Sequence, residues 1–255
     1  MNAPKQILEV WHKFDAFPME TLTKAWYYDQ SSDRQRSVAL MKEHRERYGT
    51  SGNCFDLAIW LIDEFQQAGI EAYAIGEGFG TEEAHAAVCA LDEQGRRYFC
   101  DLGDQWIEPI LMDFMPDEYR GEALSGFITG GRIKLNNQGS NHLSFTWVRP
   151  NGKTSSQVFD LTPVVLQDLN AAGEHSQSLL RNALVEMRVP MENEVVHWEY
   201  EGGRSFISSN QELITESPLH HIEDWAQRIY KMTGIQPDVS VAALKKYRQI
   251  ATAKP

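Results

Sequence analysis

At residue 70 the spacing of apolar residues changes from a helical to a strand-like period. Before that point, the segment FDLAIWLIDEFQQAG has an apolar residue at every third or fourth position, which predicts a helix that ends at Gly69. The first fifty residues are polar and mostly helical in pattern. From residue 70 to about residue 165, short apolar or alternating runs such as HAAVCAL and RRYFCDLG predict strands.

Predicted turns separate these strands at residues 92–95, 136–139 and 150–152. Strands joined by such short turns form an antiparallel sheet or a small barrel. A helical segment follows Pro163, then come two strands around ALVEMRV and VVHWEYEGG, and then two C-terminal helices. Because helices and strands succeed one another in blocks rather than alternating singly, the pattern indicates the α+β class.

The formal net charge of −12 argues against nucleic acid as a partner and against anionic membranes, because the chain has no basic stripe. No apolar run approaches the ~20 residues of a membrane span, and the first residues lack the pattern of a signal peptide. With three cysteines, an odd number, we expect a cytoplasmic protein with reduced thiols. The absence of CxxC and HExxH spacings predicts that there is no metal centre.

Cys54 is predicted to begin the helix that ends at Gly69, directly after a cluster of small, turn-prone residues. A cysteine nucleophile reacts as a thiolate, which the partial positive charge of a helix N-terminus favours. The unpaired N–H groups there can also stabilise the oxyanion of a tetrahedral intermediate. Gly52 and Asn53 are small enough to let a substrate approach the sulfur, so we predict that both contact it.

His85 and Asp101 are the predicted partners of this thiol. His85 begins a predicted strand and Asp101 ends the next one, so pairing them puts the hairpin centre at residue 93, within the predicted turn. The carboxylate could then orient the imidazole. Each residue alone is more often structural, but together the three predict a Cys-His-Asp catalytic triad. Cys89 and Cys100 lie in apolar runs and are expected to be buried and inert.

Phe79, Trp106 and Phe127 are candidates for the wall of an acceptor pocket, because an aromatic substrate packs well against such side chains. Aromatic residues in strands more often belong to the core, so both interpretations stay open. The glycine-rich residues 76–80 follow a strand without opening a helix, which argues against a dinucleotide site.

Two stretches, GNCFDLAIWLIDEFQQAGIEAYAIG and HAAVCALDEQGRRYFCDLGDQW, resemble the core of the transglutaminase-like (papain-like) cysteine enzymes, and more closely the arylamine N-acetyltransferase branch. That branch has an Arg-Gly-Gly-x-Cys-Phe-Glu stretch that opens a helix, a histidine that begins a strand, and an Asp-Val-Gly stretch. The counterparts here are residues 52–56, His85 and residues 101–103.

The resemblance implies a papain- or transglutaminase-like core made of three parts in one integrated unit. A helical bundle at residues 1–69 would carry the nucleophile and pack on an antiparallel β-barrel at residues 70–180. A C-terminal α/β lid would occupy residues 181–255.

The resemblance also implies a reaction. Cys54 would accept an acyl group, His85 would act as the base and Asp101 would orient it. The expected co-substrates are acetyl-CoA or another acyl thioester and a small-molecule amine, with no bound cofactor. The alternative is a transglutaminase-like amidase or peptidase that hydrolyses an amide with the same triad. A non-catalytic binding module has no need to keep all three groups.

Overall fold

The computed structural model describes residues 1–137 and 141–253. Its N-terminal part is helical, as the sequence predicts, and contains a 3-10 turn at His12–Phe14 and the helices α1 (Lys5–Trp11), α2 (Leu22–Tyr27), α3 (Val38–Tyr48) and α4 (Cys54–Gln67). Helix α4 is buried along most of its length and packs on α1 and α3. After it, Gly69 adopts φ +73°, the left-handed conformation that glycine tolerates best, which confirms the predicted stop.

The strands of the described residues form three antiparallel sheets. The first consists, in order, of β2 (Ala72–Glu77), β3 (His85–Leu91), β4 (Arg97–Cys100) and β5 (Ile110–Leu111). The second consists of β6 (Arg132–Asn137), β7 (His142–Val148) and β8 (Thr154–Asp160). The third has the order β1 (Met19–Glu20), β9 (Leu184–Pro190), β10 (Val195–Glu201), β11 (Arg204–Ser208) and β12 (Leu213–Thr215).

Three further helices complete the described chain: α5 (Leu166–Ser178), α6 (Ile222–Thr233) and α7 (Pro237–Ala253). Helices combined with antiparallel sheets confirm the predicted α+β class. The turns predicted at residues 92–95 and 150–152 are present. Of the turn predicted at residues 136–139, Asn136 and Asn137 end β6, and the other two residues lie outside the described residues.

The prediction that the strands of residues 70–180 close into a β-barrel is wrong. Among the described residues, the strands of this part form two separate sheets, and neither closes on itself. The edge strand β5 contains only Ile110–Leu111, and residues 112–131 separate it from β6 without contributing a strand. So short an edge offers few backbone groups for further pairing.

Side chains hold these two sheets together instead. The ring of Phe99 on β4 lies 4.5 Å from that of Phe145 on β7 and 4.8 Å from that of Phe159 on β8, measured between centroids. All three are fully buried, and burying one phenylalanine side chain contributes about 1.5–3 kcal/mol. The first sheet thereby acquires a rigid support behind His85 and Asp101.

The third sheet joins the two ends of the chain. Strand β1 pairs with β9, with Met19 opposite Glu186 and Glu20 opposite Val185. Helix α2 packs against α7. The boundaries of the three expected parts and the C-terminal lid stay predictions. Within the described ranges, no helix is both long and apolar enough to cross a membrane.

Candidate active site

A capping box fixes the N-terminus of α4 and with it the position of Cys54. The Asn53 side chain accepts hydrogen bonds from the backbone N–H groups of Phe55 (3.1 Å) and Asp56 (3.3 Å). In return, the Asp56 carboxylate accepts one from the N–H of Asn53 at 3.3 Å. Cys54 is therefore the first residue of the helix, where the helix dipole favours an anion.

Of the three cysteines, only Cys54 has a partly exposed side chain. Cys89 and Cys100 are fully buried, as predicted. Burial raises the pKa of the Cys89 thiol to about 12 and raises the pKa of Cys100 well above its usual value. Both therefore stay protonated at neutral pH, and a reactive thiol can only be Cys54.

Gly52 and Asn53, predicted to contact substrate, support the helix terminus. Gly52 has φ +115°, and a Cβ atom there would lie 2.1 Å from Oδ2 of Asp56. Asn53 is 4% exposed and also donates from Nδ2 to Oγ of Ser176 at 3.1 Å. These contacts give both residues a role within the protein, and their contact with a substrate stays a prediction.

A buried ion pair lies behind the capping box. Nη2 of Arg36 lies 3.2 Å from Oδ2 of Asp56, and each side chain is 1% exposed. Arg36 also donates to the carbonyl of Ser51 at 2.8 Å, and Gln177 on α5 donates to Oδ2 of Asp56 at 2.8 Å. The Asn-x-x-Asp spacing in the sequence indicates the capping pair, but no local signal identifies Arg36 as its partner.

His85 connects Cys54 with Asp101. Its Nε2–H donates to Oδ2 of Asp101 at 2.8 Å, and the thiol of Cys54 lies close enough to the ring to raise the pKa of His85. The Asp101 carboxylate is fully buried and accepts a second hydrogen bond, from the N–H of Asp104 at 3.0 Å. The structure thus brings together the three side chains of the predicted triad.

The pKa of His85 lies well above its usual value of 6.5. Burial lowers this pKa, but the charges of Asp101 and Asp104, together with the hydrogen bonds to Asp101 and Cys54, outweigh that effect. The raised pKa favours the protonated imidazole. A protonated imidazole is the neighbour that favours a thiolate.

The hairpin that carries His85 and Asp101 differs in register from the predicted one. Strands β3 and β4 pair from Leu91 opposite Arg97 to Val88 opposite Cys100, and this register, continued beyond the end of β4, places position 103 rather than Asp101 opposite His85. The cause is the loop, in which the N–H of Asp92 donates to the carbonyl of Arg96 at 3.0 Å and the hairpin centre moves from residue 93 to residue 94. Because the shift is two residues, side chains keep their faces, and Asp101 reaches His85 as a diagonal neighbour.

Gly103 provides the space in which the triad meets. A Cβ atom at this position would lie 2.7 Å from Cβ of Cys54, 2.8 Å from Cε1 of His85 and 3.1 Å from Oδ1 of Asp101. Protein interiors are too closely packed to absorb such overlaps without movement. Any larger residue would therefore push the three side chains apart. Sequence reasoning missed this role, because it depends on the hairpin register.

We expect Gly103→Ala to slow alkylation of Cys54 by iodoacetamide roughly 100-fold at about pH 6, where a thiol without a charged partner is almost fully protonated. Intact mass spectrometry measures the rate. Gly131→Ala is the matched control, because Gly131 also lacks a positive φ and a Cβ atom there would lie 2.9 Å from the carbonyl oxygen of Val148, outside the triad. A folded Gly103→Ala variant that reacts at the wild-type rate would contradict the claim that a larger residue at position 103 separates Cys54, His85 and Asp101.

Asp104 connects the triad with a cavity of about 440 Å³. Its Oδ1 lies 4.0 Å from Nε2 of His85, and its side chain forms part of the cavity wall. Removal from bulk solvent raises the pKa of Asp104 to about 7, and the negative charges of Asp101 and Glu186 add to the rise. The wall includes these further polar residues: Thr129, Arg149, Ser155, Ser156, Gln157, Glu186, His197, Glu199 and Ser208.

No protein-family model matches this chain, and no curated protein matches it by sequence. Solved structures do match it. The Mycobacterium smegmatis arylamine N-acetyltransferase superimposes with a TM-score of 0.71 and 13% identity, over 95% of this chain and 91% of that chain. The Mycobacterium marinum enzyme in complex with CoA gives a TM-score of 0.72 and 12% identity, over 95% and 91% of the two chains.

The arylamine N-acetyltransferase from Salmonella typhimurium matches as well, with a TM-score of 0.66 and 12% identity over 92% of this chain and 89% of that chain. This chain has the arylamine N-acetyltransferase fold. The resemblance predicted from the two sequence stretches is thereby confirmed at the level of the fold, over nearly the whole length.

Within this arylamine N-acetyltransferase fold, two of the aromatic residues predicted for a pocket wall lie in the core. Trp106 is 1% exposed and packs on Phe99 and Phe145, with 5.0 Å between ring centroids in both cases. Phe127 is 5% exposed, although residues 128–130 directly after it line the cavity. Both follow the core interpretation that the sequence left open, and their contact with a substrate stays a prediction.

Phe79, the third of these aromatic residues, is partly exposed. Its ring packs on that of Phe55 at 5.6 Å between centroids, and Phe55 directly follows Cys54 in the chain. Phe79 therefore lies against the N-terminal turn of α4, which carries Cys54. Its contact with a substrate also stays a prediction.

Two groups of side chains contain the donor types of a metal site, with ligand atoms within 4.8 Å of one another: His85 with Asp101 and Asp104, and Glu186 with His197 and Glu199. In the second group, Nε2 of His197 lies 3.3 Å from Glu186 and Nδ1 lies 3.3 Å from Oγ1 of Thr129. A ring nitrogen that donates its proton to a carboxylate has no lone pair for a metal ion. In this structure, His85 is hydrogen-bonded to Asp101, and His197 contacts Glu186 and Thr129.

Proposed function

We propose that this protein is a cysteine-dependent acyltransferase that moves an acyl group, acetyl in the simplest case, from a CoA-type thioester through acyl-Cys54 to an amine. The side chains of Cys54, His85 and Asp101, which meet around Gly103 with His85 hydrogen-bonded to Asp101, are the observation that carries this proposal. They supply a nucleophile, a group that gives and takes protons, and a carboxylate that orients it. The fold adds support, since one structure that shares it is a complex with CoA.

In the first half-reaction, the Cys54 thiolate attacks the carbonyl carbon of the thioester. A bond from this carbon to the Cys54 sulfur forms, and the bond to the leaving sulfur breaks. The protonated His85 gives its proton to the leaving sulfur, while Asp101 holds the ring in position. His85 is then neutral beside acyl-Cys54.

In the second half-reaction, a neutral amine attacks the acyl carbon. A C–N bond forms, the C–S bond to Cys54 breaks, and His85 takes the proton that the nitrogen loses. Cys54 leaves as a thiolate beside a protonated His85, which is the starting pair. The raised pKa of His85 supports this cycle, because it favours the charged ring with which the cycle begins.

The backbone N–H of Cys54 is the group that we assign to the oxyanion of both tetrahedral intermediates. The N–H groups of Phe55 and Asp56 already donate to Asn53. Of the first three N–H groups of α4, the one at Cys54 is therefore left for substrate. A fixed donor at the developing negative charge lowers the barrier of acyl transfer.

Intact mass spectrometry after incubation with acetyl-CoA tests the proposal. We expect the mass of one acetyl group on the wild-type protein and no increase on Cys54→Ala. Adding an amine should remove the acetyl group and yield the amide.

Loss of the acetyl group to water, with no amide formed, would favour the transglutaminase-like amidase or peptidase instead. Failure of every CoA and carrier-protein thioester to load Cys54, combined with slow alkylation at about pH 6, would contradict the proposal.

A further inference from the structure

The cavity beside Asp104 has an acidic wall. Glu186 and Glu199 are directly opposite each other on β9 and β10, and His197 lies two residues before Glu199. Because side chains alternate along a strand, all three project from the same face of the sheet. Their ligand atoms lie within 4.8 Å of one another. With Asp104, the wall therefore contains three carboxyl groups and one guanidinium group, that of Arg149, around about 440 Å³.

Two of these carboxyl groups have few interactions with the rest of the protein. Among the described residues, the carboxylate of Glu199 has no hydrogen bond or ion pair, and that of Asp104 has only the 4.0 Å approach to His85. Desolvation and neighbouring negative charges raise the pKa of both groups. A positive charge placed among them would reverse that effect, so the wall favours a cation.

The bonding of His197 decides between a metal ion and an ammonium group. Its Nε2–H is directed at Glu186, and its Nδ1 is hydrogen-bonded to Thr129, so the ring has no lone pair ready for a metal. An ammonium group needs only acceptors, and Glu186 and Glu199 supply them. The partly buried ring of Trp147 in the same wall adds a surface on which a cation can pack.

We propose that the amine acceptor carries a second, positively charged amino group, as an aliphatic diamine or polyamine does, and that Glu186 and Glu199 bind this group. The inference rests on the acyl transfer proposed above and names its acceptor. Asp104, between the triad and the acidic wall, borders the part of the acceptor that leads to acyl-Cys54.

The two amino groups have separate tasks. The one held by Glu186 and Glu199 stays protonated, whereas the one that reacts must be neutral to attack the acyl carbon. Its nitrogen forms the C–N bond, the C–S bond to Cys54 breaks, and its surplus proton passes to His85. The bound charge also lowers the pKa of the reacting amine nearby, which raises the neutral fraction of that amine.

The test compares putrescine with n-butylamine, which has the same number of carbon atoms and one amino group. Acetyl-Cys54 is formed first, each amine is added at the same concentration of neutral amine, and the loss of the acetyl mass is followed. A charge-assisted hydrogen bond contributes enough to make putrescine roughly tenfold faster or more. Added salt should reduce this preference, since screening weakens the attraction.

Glu186→Gln and Glu199→Gln should each reduce the ratio of the putrescine rate to the n-butylamine rate to about one. Glu201→Gln is the matched control, because Glu201 lies on the same face of β10 but is exposed and outside the cavity wall. This variant should keep the preference. Equal rates with both amines in the wild-type protein would overturn the proposal.

Calorimetry with the Cys54→Ala variant separates this inference from the proposed function. Putrescine should bind this variant, and Glu199→Gln should weaken the binding, whether or not any thioester loads Cys54. Binding without acyl transfer would reject the proposed function and keep the cation site. Acyl transfer without putrescine binding, or displacement of putrescine by Zn²⁺ alone at equal concentration, would reject the diamine.

Discussion

Cys54→Ala should abolish the acyl-enzyme, and His85→Ala should slow its formation by roughly 10³-fold. Without the ring of His85, the thiolate loses its positively charged partner and the leaving sulfur loses its proton donor. Because the raised pKa of His85 favours the charged ring, the wild-type protein should react at a pH where the variant is slow. The rates are measured as acetyl mass gained per time at several pH values.

His142→Ala provides the control for this experiment. His142 also begins a strand, β7, but its side chain is exposed and it lies outside the triad. Its replacement should leave the rate and its pH dependence as they are. A His85→Ala variant that acquires acetyl groups as fast as this control would mean that thiol and ring do not act together.

Asp56→Ala should lower the free energy of unfolding by about 3–5 kcal/mol, the usual cost of removing one partner of a buried ion pair. The variant would leave the buried guanidinium of Arg36 without its carboxylate and would also remove half of the capping box of α4. Urea denaturation followed by circular dichroism measures the difference.

Asp63→Ala is the control on the same helix. Asp63 also pairs with a cation, Lys42 at 3.1 Å, but its side chain is 34% exposed, and exposed pairs contribute about 1 kcal/mol or less. If Asp56→Ala does not fold, Asp56→Asn keeps most of the hydrogen bonds and should fall between the two. Equal losses for Asp56→Ala and Asp63→Ala would contradict the importance of the buried pair.

The parts of the site that the sequence predicts are set by near neighbours in the chain. Helix α4 follows from its apolar period, from the turn-prone residues before it and from Gly69, and these place Cys54 at the helix N-terminus. His85 and Asp101 belong to one hairpin, so a wrong register of two residues still brings them together. Local patterns are sufficient where the partners are a turn or a hairpin apart.

The rest depends on contacts between distant segments. Arg36 pairs with Asp56 because the loop before α3 folds back on α4, and the spacing of apolar residues in the sequence does not predict such a contact. The acidic wall combines Asp104 with residues of β9 and β10, more than eighty positions later in the sequence. The prediction of a closed barrel was wrong because closure depends on the length of the edge strand β5. The alternation of apolar and polar residues does not define that length.

Because β1 pairs with β9, this part of the third sheet can form only after the ribosome has made β9. A ribosome makes Glu20 long before its partner Val185, and likewise makes Asp56 long before Gln177, which holds its carboxylate. An unfinished chain that ends before α5 therefore carries Cys54 without the hydrogen bonds that join Asn53 to Ser176 and Asp56 to Gln177, although Arg36 and the capping box are already made. We expect the surroundings of Cys54 to become fixed only after α5 has been made.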